Sequence, residues 1–333
     1  MSDKEIFNIS GPYQLPLVIN WSNFRDQKSV AASLVRGAYV LEHDQLKNRQ
    51  GNEALAPPWW EAFGFELSKE LIVAGDDGST IFGAVYHRNQ NHHHRHQPSC
   101  VVAFRGTNTK DIAGFVADTK LNFRIWRYTL EKTDRFQKAL TAVRDAVNDF
   151  GIESVWIAGH SLGAAIALLV GKNMAKGHDG GNPYPLKAFL FNPPFVGSTN
   201  RIGRSLVGVL AEACKSDGET AFAACSLWHP YLFVHPKDLV CRGYIKYFHR
   251  RRIPTAQYTF RGLLLRAEST HLIPSAVLVV NHTPAPPPNW KHVVTYWKEA
   301  HGIYQWWRTH IELEAHLYTF DPIQPFSREE VAV

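Results

Sequence analysis

The sequence lacks any long hydrophobic run and is poor in cysteine. No stretch of 18 apolar residues occurs, so we predict no transmembrane helix. The first five residues are polar and no apolar core follows them, which predicts the absence of a signal peptide and a cytoplasmic location. The four cysteines show no metal-ligand spacing, so we expect intracellular free thiols.

Histidine and basic residues are clustered, but neither cluster carries a specific binding motif. Residues 92–96 are four histidines and an arginine, and because nothing in the pattern fixes ligand geometry we interpret them as a polar loop. We predict no metal and no cofactor. The net charge is +6, and part of it lies in residues 246–252. We interpret this stretch as a solvated surface, with contact to an anionic membrane surface as the alternative. No nucleic-acid-binding motif accompanies the charge, so no nucleic acid is expected as a partner.

The arrangement of apolar segments predicts a single α/β domain over residues 1–333. The chain is 45% hydrophobic and 20% charged, an ordinary globular balance. Strand patterns alternate with helix patterns, which favours a mostly parallel sheet with helices on both faces. The predicted strands are 80–86, 100–105, 154–158, 187–192 and 231–235, and the predicted helices are 28–50, about 59–74, 133–149 and 164–172. Residues 1–78 are predicted as an N-terminal helical region.

The most informative motif is Gly159-His160-Ser161-Leu162-Gly163, a Gly-x-Ser-x-Gly pentapeptide. An apolar, β-branched segment precedes it and an Ala/Leu-rich segment follows it. A strand, a sharp turn and a helix in this order are typical of a nucleophile elbow. The flanking glycines are needed because a Cβ atom there would collide with the neighbouring strand or helix. Ser161 is therefore the predicted nucleophile.

A nucleophilic serine needs a base, and the base needs an acid that orients it. Asp238 directly follows a predicted strand and is the favoured acid, whereas its rival Asp217 lies in a polar stretch typical of a surface turn. The base is less certain, because spacing favours His301 but leaves His271 open. The histidines downstream of the elbow are His249, His271, His282, His292, His301, His310 and His316.

Several segments together resemble the class 3, or fungal-type, lipase family. The resemblance covers about residues 80–310, and the chain as a whole is similar to an intracellular plant branch of that family labelled GDSL esterase/lipase, although no Gly-Asp-Ser-Leu sequence occurs. The resembling segments are Phe104-Arg105-Gly106-Thr107-Asn108, Phe115-Val116-Ala117-Asp118, the elbow with Ala164-Ala165, Phe191 to Gly197, Phe233 to Asp238, and His301 followed by Trp306-Trp307.

This resemblance implies an α/β-hydrolase fold and adds roles for several residues. It favours His301 as the base, gives Thr107 and Leu162 the oxyanion hole, and has Asp118 either hold the Thr107 hydroxyl or cap a helix. Residues 108–130 would form a lid with an apolar face, a packed core helix being the alternative. Two features depart from the family pattern. Asn192-Pro193-Pro194 stands where the family has Gly-x-Pro-Arg, and residues 196–230 are predicted from the sequence to be a cap insertion that would reshape or cover the acyl site.

The sequence therefore predicts a serine esterase or lipase that hydrolyses acyl-lipid esters through a Ser161–Asp238–His301 triad and an acyl-enzyme. The expected activity is similar to that of a triacylglycerol lipase or phospholipase A1. The alternative is a catalytically silent, lipase-like binding or signalling module. An acyltransferase that uses the same acyl-enzyme is a third interpretation.

Overall fold

A nine-stranded sheet forms the centre of the computed structural model. The strands follow one another across the sheet in the same order as along the chain. Its strands are β1 (Phe65–Gly75), β2 (Gly78–Arg88), β3 (Cys100–Phe104), β4 (Val155–His160), β5 (Lys187–Phe191), β6 (Tyr231–Val234), β7 (Ala276–Asn281), β8 (Leu313–Thr319) and β9 (Ser327–Glu330). The structure describes residues 18–55, 59–75, 78–90, 94–107, 130–177, 185–195, 224–250, 273–283, 299–308, 311–320 and 327–332.

The five central strands, β3 to β7, are parallel, and antiparallel strands flank them on both sides. Strands β1 and β2 pair antiparallel with one another, and β2 pairs antiparallel with β3. On the other side, β7, β8 and β9 also pair antiparallel in sequence. Since parallel strands end at the same edge of a sheet, residues that directly follow β4, β5 and β6 lie near one another.

Both faces of the parallel region are covered by described helices. These are α1 (Phe24–Leu46), α2 (Asp134–Phe150), α3 (Leu162–Ala175) and α4 (Gly243–Arg250), with 3₁₀ segments at Gly51–Glu53, Trp59–Phe63, Leu130–Lys132, Ile152–Ser154 and Ile303–Trp307. Helices α1 and α2 begin after Asn23 and Thr133, whose side chains accept a hydrogen bond from a backbone N–H of the first turn.

The sheet separates two hydrophobic cores, one on each face, and strand β4 contributes side chains to both. Val155 and Ile157 point into a core shared with α2, α3 and α4, whereas Trp156 and Ala158 point into a core shared with α1 and the segment Ile303–Trp307. Every residue of β4 is buried. A strand covered on both faces is continuously apolar rather than alternating, which explains the β-branched and aromatic run in the sequence.

The predicted strands and most predicted helices are confirmed, but the helix predicted over about 59–74 is wrong. A short 3₁₀ segment ends at Phe63, and residues 65–75 form β1, which pairs with β2 as a hairpin. The predicted N-terminal helical region therefore includes a strand in its second half. Helix α1 spans Phe24–Leu46 instead of 28–50.

Several expectations fall wholly or partly outside the described residues. The predicted lid at 108–130 lies outside them except for Leu130, and most of the predicted cap insertion, residues 196–223, lies outside them as well. Three of the four cysteines are described and are free, as predicted. Among the described helices, none combines the length and the apolar character that crossing a bilayer requires.

Candidate active site

Ser161 lies at a sharp turn between β4 and α3. It is 3% exposed and has φ 54° and ψ −120°, a conformation rarely adopted by residues other than glycine. A Cβ atom at Gly159 would come within 2.4 Å of the Gly163 carbonyl oxygen, and a Cβ at Gly163 would lie 2.2 Å from the Phe104 carbonyl oxygen. Only glycine fits at either flank, so the predicted strand–turn–helix geometry and the physical reason for its glycines are confirmed.

His301 and Asp238 lie next to Ser161 and form one hydrogen-bonded chain with it. The Ser161 Oγ is 3.1 Å from His301 Nε2, and His301 Nδ1 is 2.9 Å from Asp238 Oδ2. Asp238 is fully buried and His301 is 8% exposed. Because the carboxylate only accepts, Nδ1 carries the proton and Nε2 is left to accept from the serine hydroxyl. The structure brings together the three side chains that the sequence predicted.

The Asp238 carboxylate accepts more hydrogen bonds than the one from His301. The Asn192 side-chain amide donates to Oδ2 over 2.8 Å, the Cys241 thiol donates to the same oxygen over 3.0 Å, and the Val240 backbone N–H donates to Oδ1 over 2.9 Å. A buried carboxylate with this many donors is held in one orientation. Asp238 is therefore fixed from several sides.

These contacts determine the protonation states at the acid. Burial by itself raises the pKa of the Asp238 carboxyl. The electrostatic interaction with His301 and the hydrogen bonds that the carboxylate accepts outweigh that effect, so the pKa lies below its ordinary value. Burial, and next the adjacent carboxylate, hold the pKa of the Cys241 thiol well above its usual range. Asp238 is thus the charged partner, and Cys241 keeps the proton that it donates.

Asn192 connects the acid to the segment that carries the histidine. Its amide also donates to the Ala300 carbonyl over 3.1 Å, and its side-chain oxygen accepts from the Trp306 indole over 2.6 Å. Asn192 has φ 48°, a left-handed conformation that asparagine tolerates better than most residues. Position 192 departs from the family pattern, but no contact between Asn192 and the acid could be predicted from the sequence.

The segment that follows β3 lies against the nucleophile. A Cβ atom at Gly106 would come within 3.0 Å of the Ser161 Cβ, so the backbone there is close to the serine. Thr107 comes next along the chain and is half-buried. Leu162 is the first residue of α3, where backbone N–H groups have no helical acceptor. Thr107 and Leu162 thus lie on the two segments that flank Ser161, whereas Asp118 lies outside the described residues.

A buried ion pair holds the start of this segment. The Arg105 guanidinium donates to the Glu42 carboxylate over 2.8 Å, and both side chains are 4% exposed. Arg105 also donates to the Gly106 carbonyl over 2.6 Å, while Glu42 accepts from the Ile81 backbone N–H over 2.6 Å. Helix α1 and β2 are thereby linked to the backbone that precedes Thr107.

His160 and Tyr39 also contact this region, and neither was predicted as a site residue. The two nitrogens of His160 lie 2.8 Å from the Tyr39 hydroxyl and 2.7 Å from the His301 carbonyl oxygen. The Gly106 N–H donates to the Tyr39 hydroxyl over 2.7 Å. Burial, and next the electrostatic effect of the neighbouring His301, lower the pKa of His160 to about 3, so the ring is neutral. Only the position of His160 inside the pentapeptide could have drawn attention to it.

The remaining sequence candidates take no part in the described site. His271 and Asp217, the rivals for base and acid, both lie outside the described residues. Part of the histidine-rich stretch, His94 to His96, is described, and it lies in a loop before β3. Within the described ranges, no group of three or more His, Cys, Asp or Glu side chains is placed to hold a metal ion.

Comparison with known structures gives fungal lipases at low sequence identity. A lipase from Rhizopus microsporus var. chinensis is 18% identical, with a TM-score of 0.39 over 66% of this chain and 69% of that chain. A mutant form of MDLA from Penicillium cyclopium is also 18% identical, with a TM-score of 0.38 over 66% of this chain and 74% of the other.

Comparison of sequences gives stronger matches. Residues 101–205 match the family described as Lipase (class 3). A curated Arabidopsis thaliana protein named as a GDSL esterase/lipase is 36% identical over 366 aligned residues, which cover 96% of this chain and 99% of the relative. The α/β-hydrolase fold is supported by the sheet, by the strand–serine–helix turn at its edge and by these sequence matches. The chain belongs to the class 3 lipase family, a family of carboxylic ester hydrolases.

Proposed function

We propose that the chain is a serine esterase or lipase in which Ser161 is the nucleophile, His301 the general base and Asp238 the acid that orients it. The observation that carries this proposal is the hydrogen-bonded chain from Ser161 Oγ through His301 to Asp238, with steps of 3.1 Å and 2.9 Å. Family membership supports ester hydrolysis but leaves these residue roles to the geometry.

In the acylation step, His301 Nε2 removes the Ser161 proton while Oγ attacks the carbonyl carbon of the ester. The resulting imidazolium lies against Asp238, whose lowered pKa keeps it ionised and able to stabilise the new charge. The same proton then passes from Nε2 to the leaving alcohol, and the acyl group stays on Oγ. A water molecule, deprotonated by His301, next attacks the acyl-enzyme and releases the carboxylic acid.

The negative charge on the tetrahedral intermediate requires donors beside Ser161. We propose the backbone N–H groups of Thr107 and Leu162 for this role, since the two residues lie on the segments that flank the serine. The positive end of the α3 dipole acts in the same direction. Removal of one such donor typically costs about 10²- to 10³-fold in kcat.

The proposed substrate is an acyl-lipid ester of the kind cleaved by triacylglycerol lipases or phospholipases A1. Supporting features for contact with an anionic lipid surface lie next to the acid. Leu239 is 47% exposed, and Lys237, Arg242 and Lys246, which lie within seven residues of it along the chain, are exposed as well. Such a surface would bind vesicles that contain an anionic lipid more tightly than zwitterionic ones, and Lys246→Glu would reduce that difference. The cytoplasmic location stays a prediction.

The decisive experiment uses a fluorophosphonate probe together with short- and long-chain p-nitrophenyl esters. Wild type should be labelled and should turn over ester, whereas Ser161→Ala and His301→Ala should lose both. His282→Ala is the matched control, because this exposed histidine pairs with Glu314 of β8 and not with a residue of the proposed triad, so the change should leave activity unchanged. A preference for long chains would support the lipid substrate.

Each other result contradicts a specific part of the proposal. Labelling and turnover that survive in His301→Ala would give the role of base to another histidine, such as His271. A folded wild type that is neither labelled nor active would favour the silent binding module. Transfer of the acyl group to an added alcohol in preference to water would indicate an acyltransferase.

A further inference from the structure

His160 precedes the nucleophile but has no step in the proposed mechanism. Its ring is buried, and each of its nitrogens is hydrogen-bonded, Nδ1 to the Tyr39 hydroxyl over 2.8 Å and Nε2 to the His301 carbonyl over 2.7 Å. A buried imidazole with both nitrogens paired has a fixed orientation. His160 thus connects helix α1 directly to the backbone of the proposed base.

The Gly106 N–H and the His301 carbonyl, at the two ends of this series of hydrogen bonds, determine which group donates in each of them. The Gly106 N–H can only donate, and it donates to the Tyr39 hydroxyl over 2.7 Å. The single hydroxyl proton of Tyr39 is then available for His160 Nδ1, which must accept. At the other end the His301 carbonyl can only accept, so Nε2 of His160 carries its proton. The partners thereby assign the neutral Nε2–H tautomer.

We infer that Tyr39 and His160 are positioning residues, which hold the Gly106–Thr107 segment and the His301 backbone at fixed places on either side of Ser161. This inference rests on the proposed function, because it assigns the two residues a role in acyl transfer at Ser161. The segments that these hydrogen bonds join are far apart in sequence, since Gly106 follows β3, His160 ends β4 and His301 lies before the segment Ile303–Trp307. Helix α1, through Tyr39, is their common support.

The charge state of the ring is part of this role. The His160 and His301 ring centroids are 5.0 Å apart. Acyl transfer makes His301 positive for an instant, and a second positive ring at that distance would oppose the transition state. Burial and the neighbouring His301 lower the pKa of His160 to about 3, which keeps it neutral. Burial likewise raises the pKa of Tyr39 to about 12, so its hydroxyl keeps the proton that it donates.

Conservative variants separate positioning from simple packing. The terminal amide of glutamine can occupy roughly the place of His160 Nε2 and donate to the His301 carbonyl, whereas alanine cannot. We expect His160→Ala to lower kcat about 100-fold and His160→Gln to stay within about tenfold of wild type, with KM changed less than about threefold in both. Tyr39→Phe should lower kcat about tenfold.

Tyr86→Phe is the matched control. Tyr86 is another buried tyrosine against helix α1, and its hydroxyl donates to the Leu34 carbonyl over 3.1 Å, away from the serine. This variant loses a buried hydrogen bond of the same kind, so it should melt at a lower temperature and keep its kcat. Equal kcat losses in Tyr86→Phe and Tyr39→Phe, or in His160→Gln and His160→Ala, would overturn the inference.

Nuclear magnetic resonance of protein labelled with ¹⁵N in histidine gives a test that does not depend on activity. In both wild type and Ser161→Ala, His160 should stay the neutral Nε2–H tautomer from pH 5 to pH 8. A His160 that titrates in this range, or that carries its proton on Nδ1, would refute the network whether or not the protein hydrolyses esters. Failure of the proposed function would instead appear as an intact network in a protein that neither reacts with the probe nor turns over ester.

Discussion

Replacing His160 by glutamine should flatten the dependence of stability on pH below neutrality. In the folded protein burial, and next His301, lower the pKa of His160 from 6.5 to about 3. The unfolded chain titrates near the ordinary histidine value, so below pH 6.5 it binds a proton that the native state does not. The contribution of this group to stability is therefore fully present above pH 6.5 and is lost as the pH falls from 6.5 toward 3.

The size of the effect follows from the difference between the pH and the pKa of the histidine in the unfolded chain. At pH 5 that difference is about 1.5 pH units. At about 1.36 kcal/mol per unit, the free energy of unfolding is about 2 kcal/mol lower at pH 5 than at pH 7. Besides Tyr39, the groups that act electrostatically on His160 are His301, Asp238 and Arg36, and all remain in the variant. Their own titration contributes to both proteins and largely cancels in the comparison.

Urea unfolding at pH 5 and pH 7 measures this difference. The loss of unfolding free energy between the two pH values should be about 2 kcal/mol larger in wild type than in His160→Gln. Equal losses in the two proteins would mean that His160 is protonated in the native state at pH 5. The neutral tautomer, and with it the direction of the hydrogen-bonded chain from Tyr39, would then be refuted.

Two further substitutions test the supports of the site. Asn192→Ala removes the amide that donates to Asp238 and should lower kcat about tenfold or more. Asn192→Gly should lose the same activity but have an unfolding free energy about 1 kcal/mol higher than that of Asn192→Ala, because glycine accepts the left-handed backbone; steady-state kinetics and urea unfolding separate the two effects. Glu42→Gln leaves the buried Arg105 without its carboxylate and should reduce the unfolding free energy by about 3 kcal/mol, so an unchanged urea midpoint would contradict the buried ion pair.

The one wrong element shows where local sequence is a poor guide. Residues 65–75 include glutamate, lysine, leucine and alanine, all frequent in helices, which favoured a helical prediction. In the structure they pair with β2 throughout their length, with two irregularities in the register that disturb strict alternation. Tertiary pairing thus outweighs weak local preference, and the Asp76-Asp77-Gly78 sequence between the two strands was the available turn signal.

The same distinction applies to the candidate site, where some residues could be predicted from their neighbours in sequence and others depend on long-range contacts. Ser161 could be predicted because the turn that holds it is specified by its own neighbours, Gly159 and Gly163. Spacing left two histidines open, because nothing near either of them in sequence records which one returns to the serine. The contacts of Tyr39 and His160 join residues 121 and 141 positions apart, so no local pattern could reveal them.

The geometry of the site follows from the ends of three neighbouring parallel strands. The Ser161 N–H donates to the Phe191 carbonyl over 3.0 Å, and the Asn192 N–H donates to the Phe233 carbonyl over 2.8 Å, so the sheet hydrogen bonds continue one step past β4 and β5. At that step both residues take a positive φ, 54° and 48°, a strain of about 1–3 kcal/mol that persists only where surrounding contacts outweigh it. Asparagine meets both demands at position 192, because its backbone tolerates the left-handed turn and its amide reaches Asp238 beyond the next strand. The departure from the family pattern at this position therefore coincides with a support of the proposed acid that glycine could not provide.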